Sequence, residues 1–493
     1  MQLKNPFALR QSPWQQFCKQ LERTVGQDGL IRQQEELLTY ESDGLPCYRE
    51  RPALAVLPRT TEQVAQAIRL CNDYGITWVA RGAGTGLSGG ALPIREGVLI
   101  VTSRMNRILE ADTDNQRVVV QPGAINNWVT QAVSEAGFYY APDPSSQSVC
   151  TIGGNIAENS GGVHCLKYGV TINHVLGLKA VTAQGEIVEL GGEVPEMPGY
   201  DLTGLFVGSE GTLGLATEIT LSILKTPESA CVLLADFASM EAAGQAVTDI
   251  VGAGIIPAGM EMMDNLSINA VEDVVGSGCY PRDAAAVLLV ELDGLSEEVE
   301  ADVARVADRC ERAGARSTQT AWDAATQQKF WKGRKAAFAA AGNLSPDYFI
   351  QDGVIPRTQL SWVLGEIEAL SQRFGYRIAN VFHAGDGNLH PLILYDNSVE
   401  GQLAEVETLG REILKRCVQA GGSISGEHGI GADKNCFMPD MFSAADLETM
   451  RRVRLAFDPN QLANSEKLFP TPRTCGEAAH AHQWVETQGA QLY

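Results

Sequence analysis

The chain has 493 residues, 44% hydrophobic and 20% charged, a globular composition long enough for two or more domains with large cores. Its net charge of −22 leaves no basic footprint for nucleic acid and disfavours direct binding to anionic membranes. The 11 cysteines form no Cys-x-x-Cys, so iron–sulfur, structural zinc and haem-attachment signatures are absent.

The start, Met1-Gln2-Leu3-Lys4, lacks the apolar core of a secretory signal. The longest apolar stretch, 284–290, is too short to span a bilayer. The expectation is a cytoplasmic protein without direct membrane insertion, associated with a membrane only through partner subunits if at all. Residues 1–49 read as a helical, peripheral segment. Thr60-Thr61-Glu62-Gln63 resembles a capping box, followed by Val64, Ile68 and Cys71 at helical spacing and by Gly75 as a stop. Strand-like Ile76–Ala80 runs into Arg81-Gly82-Ala83-Gly84-Thr85-Gly86-Leu87-Ser88-Gly89-Gly90, and a strand over Val98–Val101 follows. A hairpin is expected between Ile108 and Val120, turning around Asp112-Thr113-Asp114-Asn115. The stretch from Pro142 to Gly162 reads as a long functional loop, and a further glycine cluster spans Val207–Gly214. Composition shifts after Pro227. Strands over 232–235 and 285–292 alternate with helices over 239–252 and 296–313, and a last helix is expected near 443–456.

Three of the 7 histidines lie in two glycine-rich segments, His383-Ala384-Gly385-Asp386-Gly387-Asn388-Leu389-His390 and Gly426-Glu427-His428-Gly429. A hairpin turn centred on Asp386-Gly387 would set His383 directly opposite His390. Opposed residues share a face with Cβ atoms roughly 4.5–5.5 Å apart, close enough for both imidazoles to grip one metal ion, with Glu427 adding a carboxylate. The alternative is a polar hairpin with two unrelated histidines. Glu427 and His428 would face opposite sides of a regular strand, so joint use of both needs an irregular turn, which Gly426, Gly429 and Gly431 permit.

The Arg81–Gly90 loop offers successive backbone N–H groups to a pyrophosphate. It is neither a Walker loop nor a Rossmann fingerprint, and taken alone a surface turn explains it equally well. Several separate glycine clusters favour a large flat cofactor. Together, Arg81–Gly86, Thr151-Ile152-Gly153-Gly154-Asn155-Ile156-Ala157-Glu158-Asn159-Ser160-Gly161-Gly162 and Gly208-Ser209-Glu210-Gly211-Thr212-Leu213-Gly214 resemble the FAD-binding loops of the vanillyl-alcohol oxidase/p-cresol methylhydroxylase flavoprotein superfamily. The histidine segments resemble its D-2-hydroxyacid dehydrogenase branch, including glycolate oxidase-type dehydrogenases, over about residues 35–470.

That resemblance implies an α+β fold: a two-subdomain FAD-binding domain over 50–227, and an α+β cap domain with an antiparallel sheet over 228–440. A C-terminal helix over 441–470 would return to the FAD domain, followed by a tail over 471–493. It implies FAD contacts from Arg81, Gly82, Ala83, Gly84, Thr85, Gly86, Ser88, Gly89, Pro142, Thr151, Gly153, Gly154, Asn159, Ser160, Gly161, Gly208, Glu210 and Gly211. No histidine stands in the first loop, so non-covalent FAD is expected. Arg334 matches a carboxylate-binding arginine, and His428 a general base. His383, His390 and Glu427 match the ligands of a divalent metal (zinc, manganese or iron). The remaining histidines, His164, His174, His480 and His482, read as structural or surface residues. Asn464-Ser465-Glu466-Lys467 stands where the family usually has Asn-Pro-Gly-Lys, which questions the local turn.

The expected reaction is oxidation of a small 2-hydroxy acid, glycolate or D-lactate, with electrons leaving to an iron–sulfur subunit or a quinone. Alternatives are a dehydrogenase of a bulkier acid such as D-2-hydroxyglutarate and a non-catalytic FAD-binding subunit. A metallohydrolase would explain the histidines but not the FAD-type loops.

Overall fold

A computed structural model describes residues 7–194 and 198–470. The expected tail with His480 and His482 lies outside the described residues. The chain divides into two compact units. The first holds the residues up to Ser160, Val170–Lys225 and those from His428; the second holds Gly161–Gly169 and Thr226–Glu427.

In the first unit, helix Thr61–Tyr74 forms as its signals predict. The Thr60 hydroxyl accepts the Gln63 N–H at 3.3 Å, while Gln63 Oε1 reaches back to the Arg59 N–H at 2.7 Å, one residue earlier than a capping box requires. Gly75 ends the helix at φ 63°, a left-handed conformation that favours glycine. Strand Val98–Val101 lies between the parallel strands Leu54–Val56 and Trp78–Arg81.

The N-terminal segment departs from expectation. Helix Phe7–Val25 is present, but Phe17, Leu21 and Val25 are buried in the same core as Val64 and Ile68. Leu30–Ile31 adds an antiparallel edge strand to the sheet. Two paired residues leave no alternating pattern, so the sequence could not announce this strand.

A five-stranded antiparallel sheet follows in the order Ile108–Asp112, Arg117–Val120, Gly214–Ser222, Val175–Thr182, Ile187–Gly191. The expected hairpin turns at Asp112, whose carboxylate accepts the Asn115 N–H at 3.0 Å. The stretch read as one long loop contains helix Ile152–Glu158, capped by the Thr151 hydroxyl. Its two glycines hid it, since glycine lowers helix propensity by roughly 1 kcal/mol. Packing explains Gly153: a Cβ there would lie 2.6 Å from Pro122 Cβ and 2.9 Å from the Pro122 carbonyl oxygen.

The second unit is built on a nine-stranded sheet whose paired strands are antiparallel. The expected elements fall at Ser229–Phe237, Met240–Gly252, Ala286–Gly294 and Ser296–Arg312. Val232, Leu234, Leu289, Phe330 and Val381 share one core in this unit. The last helix, Ala444–Phe457, belongs to the first unit and carries a capping box from Ser443 and Asp446. Among the described residues, no helix is long and apolar enough to cross a membrane.

Two glycine substitutions should therefore differ in sign. Gly153→Ala should destabilise by roughly 1–3 kcal/mol through overpacking against backbone. Gly252→Ala meets nothing within 4 Å and should stabilise by roughly 0.5–1 kcal/mol through helix propensity. Chemical denaturation of both variants checks this; equal effects would refute the packing account.

Candidate active site

Strand Trp78–Arg81 ends on a buried arginine that supports the loop following it. Arg81 Nη1 donates to the Tyr40 and Ala91 carbonyls at 3.4 and 3.3 Å. Gly84 and Gly89 both adopt φ 73°, so two points of this loop use conformations that side chains resist. Ala83, Thr85 and Gly86 complete the irregular run, and the Gly86 carbonyl accepts the Gly44 N–H at 2.9 Å. Ser88 is buried and its hydroxyl accepts the Gly90 N–H at 3.1 Å.

Hydrogen bonds join the other glycine segments within this unit. Gly208 N–H and Glu210 N–H donate to the Ile156 and Ala157 carbonyls, each at 2.8 Å, and so dock the third cluster on helix Ile152–Glu158. Gly82 packs against Thr151, and Gly154 N–H reaches the Thr151 hydroxyl. Asn159 ends the helix at φ 52°, with its side chain accepting the Ile172 N–H at 2.9 Å. The Ser160 carbonyl accepts from Thr171, and the Pro142 carbonyl from Asn126 Nδ2 at 3.1 Å. Gly211 has φ 70°. Asn464 Nδ2 spans the first and third clusters, donating to Gly90 O at 3.0 Å and Glu210 O at 2.7 Å. The turn at 464–467 closes without proline or glycine, because Asn464 itself takes φ 45°.

Glu210 holds the chain just past His428. Its two carboxylate oxygens accept the Ile430 and Gly431 N–H groups at 2.7 and 2.6 Å. Gly429 and Gly431, at φ 89° and 52°, supply the irregular turn that the sequence demanded. Burial raises the Glu210 carboxyl despite these two bonds. Burial and the neighbouring Glu210 push Glu158 well above the usual carboxylate range. Glu158 Oε2 is shielded from solvent and has no hydrogen-bond partner among the described residues. A Cβ at Gly86 would meet nothing nearer than Glu158 Oε1 at 3.9 Å, and this open point beside an orphaned oxygen fits a cofactor approached by backbone.

The second cluster lies within the other unit. Strand Ile378–His383 pairs with Asn388–Leu389 and Pro391–Tyr395, with His383 opposite Asn388 and Asn380 opposite Pro391. The expected direct opposition of His383 and His390 is therefore corrected. A four-residue turn, Ala384–Gly387, replaces the two-residue one, because Asp386 accepts the Asn388 N–H at 3.1 Å and Gly387 N–H donates to the His383 carbonyl at 3.2 Å. The shift is by an even number of residues, so the histidines stay on one face as diagonal neighbours. Their rings lie 5.1 Å apart and nearly perpendicular.

Glu427 Oε1 stands 3.0 Å from His390 Nε2 and 3.5 Å from His383 Nε2. One potential ligand atom from each residue lies within 4.8 Å of the others. Two imidazole nitrogens and a carboxylate are a donor set suited to a divalent transition ion. Gly161 belongs to this unit and backs Glu427: a Cβ there would sit 2.8 Å from Glu427 Oε2.

Two carboxylates unremarked in the sequence support the cluster. Glu261, fully buried, is the direct cross-strand partner of His383 and accepts its Nδ1 at 2.5 Å. Its other oxygen accepts Arg334 Nε at 2.7 Å and Nη2 at 2.6 Å. Burial alone would raise Glu261, but Arg334 and His383 outweigh it and hold the carboxyl below its usual range. His383 shows the converse: burial opposes its charge, yet Glu261 and Glu427 raise it well above an ordinary histidine. Asp352, also fully buried, accepts the Ser425 hydroxyl at 2.6 Å and the Gly426 and Glu427 N–H groups at 3.1 and 3.2 Å. An acid inside an apolar strand, Met260-Glu261-Met262, was the available signal for Glu261, whereas Asp352 lies between strands Asp347–Ile350 and Gly353–Val354 and carries no such signal.

Loops, fold and donor set together describe a flavoprotein oxidoreductase. The family model described as FAD binding domain matches residues 52–191, and that described as FAD linked oxidases, C-terminal domain, matches residues 226–468. The chain belongs to the FAD-linked oxidase family, in the vanillyl-alcohol oxidase/p-cresol methylhydroxylase superfamily. It is 51% identical over 455 residues to the glycolate oxidase subunit GlcD of Escherichia coli K12, covering 92% of this chain and 91% of that protein. The GlcD of Bacillus subtilis is 38% identical (88% and 92% covered), and a D-lactate dehydrogenase of Anaerostipes hadrus 33% identical (85% and 90% covered). The fold is shared with the solved 4-ethylphenol oxidase of Gulosibacter chungangensis, at TM-score 0.76 and 19% identity over 93% of this chain and 98% of that one. It is shared also with p-cresol methylhydroxylase, at TM-score 0.76 and 17% identity over 92% and 96%.

Asp352→Ala should release the part-buried Ser425 hydroxyl and Glu427 N–H, while the Gly426 N–H keeps the Asp352 main-chain carbonyl at 3.0 Å. The expected loss is about 1–3 kcal/mol, since each of these two bonds contributes roughly 0.5–1.5 kcal/mol net. Urea unfolding of the purified variant measures it. A change below about 0.5 kcal/mol would show that water replaces the carboxylate there.

Proposed function

We propose that the chain oxidises small 2-hydroxy acids, converting glycolate to glyoxylate and, as a second substrate, D-lactate to pyruvate. The observation that carries this reading is the convergence of His383, His390 and Glu427, with Glu261 bonded both to His383 and to the buried Arg334. The GlcD and D-lactate dehydrogenase relatives support the substrate class.

Arg334 binds the substrate carboxylate; its planar, permanently charged fork suits a two-oxygen anion better than a lysine would. His383, His390 and Glu427 hold a divalent ion, zinc, manganese or iron. An imidazole nitrogen of His428 takes the hydroxyl proton. Non-covalent FAD is held by the segments around Arg81–Gly89, Thr151–Ser160 and Gly208–Gly211, with the first loop offering no histidine for attachment. When bound, FAD accepts the hydride and a divalent ion lowers the hydroxyl pKa. The electrons then pass to a non-NAD acceptor, an iron–sulfur subunit or a quinone. The word "subunit" in the GlcD relatives' names supports assembly with further chains. Such chains would also carry any membrane association of an otherwise cytoplasmic protein.

Anaerobic mixing of the FAD-loaded protein with a panel of 2-hydroxy acids tests this. Glycolate, and D-lactate more weakly, should bleach the flavin; bleaching only by a bulkier acid, or by none, would overturn the assignment. Chelation or His390→Ala should abolish bleaching while FAD stays bound, and full turnover in demonstrably metal-free protein would remove the ion from the scheme.

Arg334→Ala should weaken substrate capture by about ten- to a hundredfold, the equivalent of a charge-assisted pair worth roughly 1.5–3 kcal/mol. Lysine should rescue poorly. Unchanged glycolate kinetics in the FAD-loaded variant would eliminate the carboxylate role.

A further inference from the structure

The second unit holds one carboxylate that touches both parts of the proposed chemistry. Glu261 is 0% exposed and lies on the central strand Gly259–Asp264, directly opposite His383. Oε1 meets His383 Nδ1 at 2.5 Å, which leaves His383 Nε2 as the nitrogen facing Glu427 at 3.5 Å. Oε2 meets Arg334 Nε and Nη2 at 2.7 and 2.6 Å. Arg334 comes from a different element, helix Ala324–Ala341, and its guanidinium also lies 5.9 Å from the Phe338 ring centre. Phe338 in turn meets the His390 ring edge-on at 6.0 Å. A carboxylate held at both oxygens has no rotational freedom, so each partner fixes it for the other.

We infer that Glu261 is a shared positioning residue, which orients His383 for the metal and Arg334 for the substrate carboxylate and so links the two affinities. The inference rests on the reaction proposed above. Three physical consequences follow. A carboxylate on the far nitrogen of a ligating imidazole fixes its tautomer and raises its basicity, and losing such a partner costs roughly 10–100-fold in metal affinity. Arg334 is not among the metal-ligating residues, yet it holds the Glu261 carboxylate in place with two bonds, so changing Arg334 should also weaken metal binding. Because both effects run through one carboxylate, they should not add.

The test uses the full chain loaded with FAD. Zn²⁺ affinity is measured by competition with a chromogenic chelator, beside glycolate kinetics. Glu261→Gln keeps the shape and removes the charge; it should weaken Zn²⁺ by roughly 10–100-fold and raise the KM for glycolate more than it lowers kcat. Arg334→Lys keeps the charge but not the fork, and should weaken Zn²⁺ several-fold. The double variant should bind Zn²⁺ no more weakly than Glu261→Gln alone. Should Glu261→Gln fail to fold, Arg334→Lys carries the test, because an arginine that serves only the substrate would leave Zn²⁺ affinity untouched. Zn²⁺ affinity within twofold of wild type in either folded variant, or strictly additive losses, would overturn the linkage. If the wild-type protein binds no Zn²⁺ yet oxidises glycolate, the metal reading fails first and takes the linkage with it.

Discussion

Everything proposed for the second unit depends on a buried negative charge and its compensation. An ionised carboxylate in a protein interior is costly unless ion pairs and hydrogen bonds replace its water. Glu261 has both, an arginine at one oxygen and a histidine at the other. Asp352 receives two backbone N–H groups and a hydroxyl, a set that also holds Glu427 in place, and its Oδ1 lies 3.9 Å from His390 Nε2. The two acids thus support the candidate ligands from opposite directions, Glu261 through a side chain and Asp352 through the main chain. Glu261 could not become an apolar residue without leaving the polar groups of Arg334 and His383 buried and unmatched.

The first unit solves a related problem with different means. Its glycine clusters bring backbone close together, and Glu210 fastens the turn after His428 by accepting two successive N–H groups. Glu158 is less well provided for. Burial and its acidic neighbour favour the neutral carboxyl, and among the described residues Oε2 has no hydrogen-bond partner. A protonated acid can donate where a carboxylate can only accept.

How much of this could be read in the sequence differs by element. Helix Thr61–Tyr74 and the hairpin at Asp112 carry local signals, a cap with a glycine stop and an Asx-type turn, and those signals are complete within a few residues. His383, His390 and Glu427 were legible as a cluster because rare residue types recur among glycines. The register between the histidines was not legible, since an Asp-Gly pair can sit in a four-residue turn as readily as in a two-residue one, and the choice depends on the bonds Asp386 and Gly387 make. Helix Ile152–Glu158 was hidden because Gly153 serves packing against Pro122, a contact made 31 residues away in sequence. Glu261 was hidden for the same reason: its meaning resides in partners 73 and 122 residues along the chain.

Charge accounting explains why such a site suits an anionic substrate on a protein of net charge −22. The long-range field of an acidic protein does not attract a carboxylate, so capture needs a local cation. In the proposed reading Arg334 supplies one that cannot be lost by deprotonation, and Glu261 offsets it at close range. Without an ion, the acids around His383 favour a proton on its ring. In the proposed reading, exchanging that one proton for a divalent ion would leave the pocket one charge more positive. In the proposed reading that added charge is what a 2-hydroxy acid anion meets. The buried carboxylates then do not work against anion binding: they hold the histidines and the arginine in the geometry that lets positive charge accumulate in a place where the rest of the molecule repels the substrate.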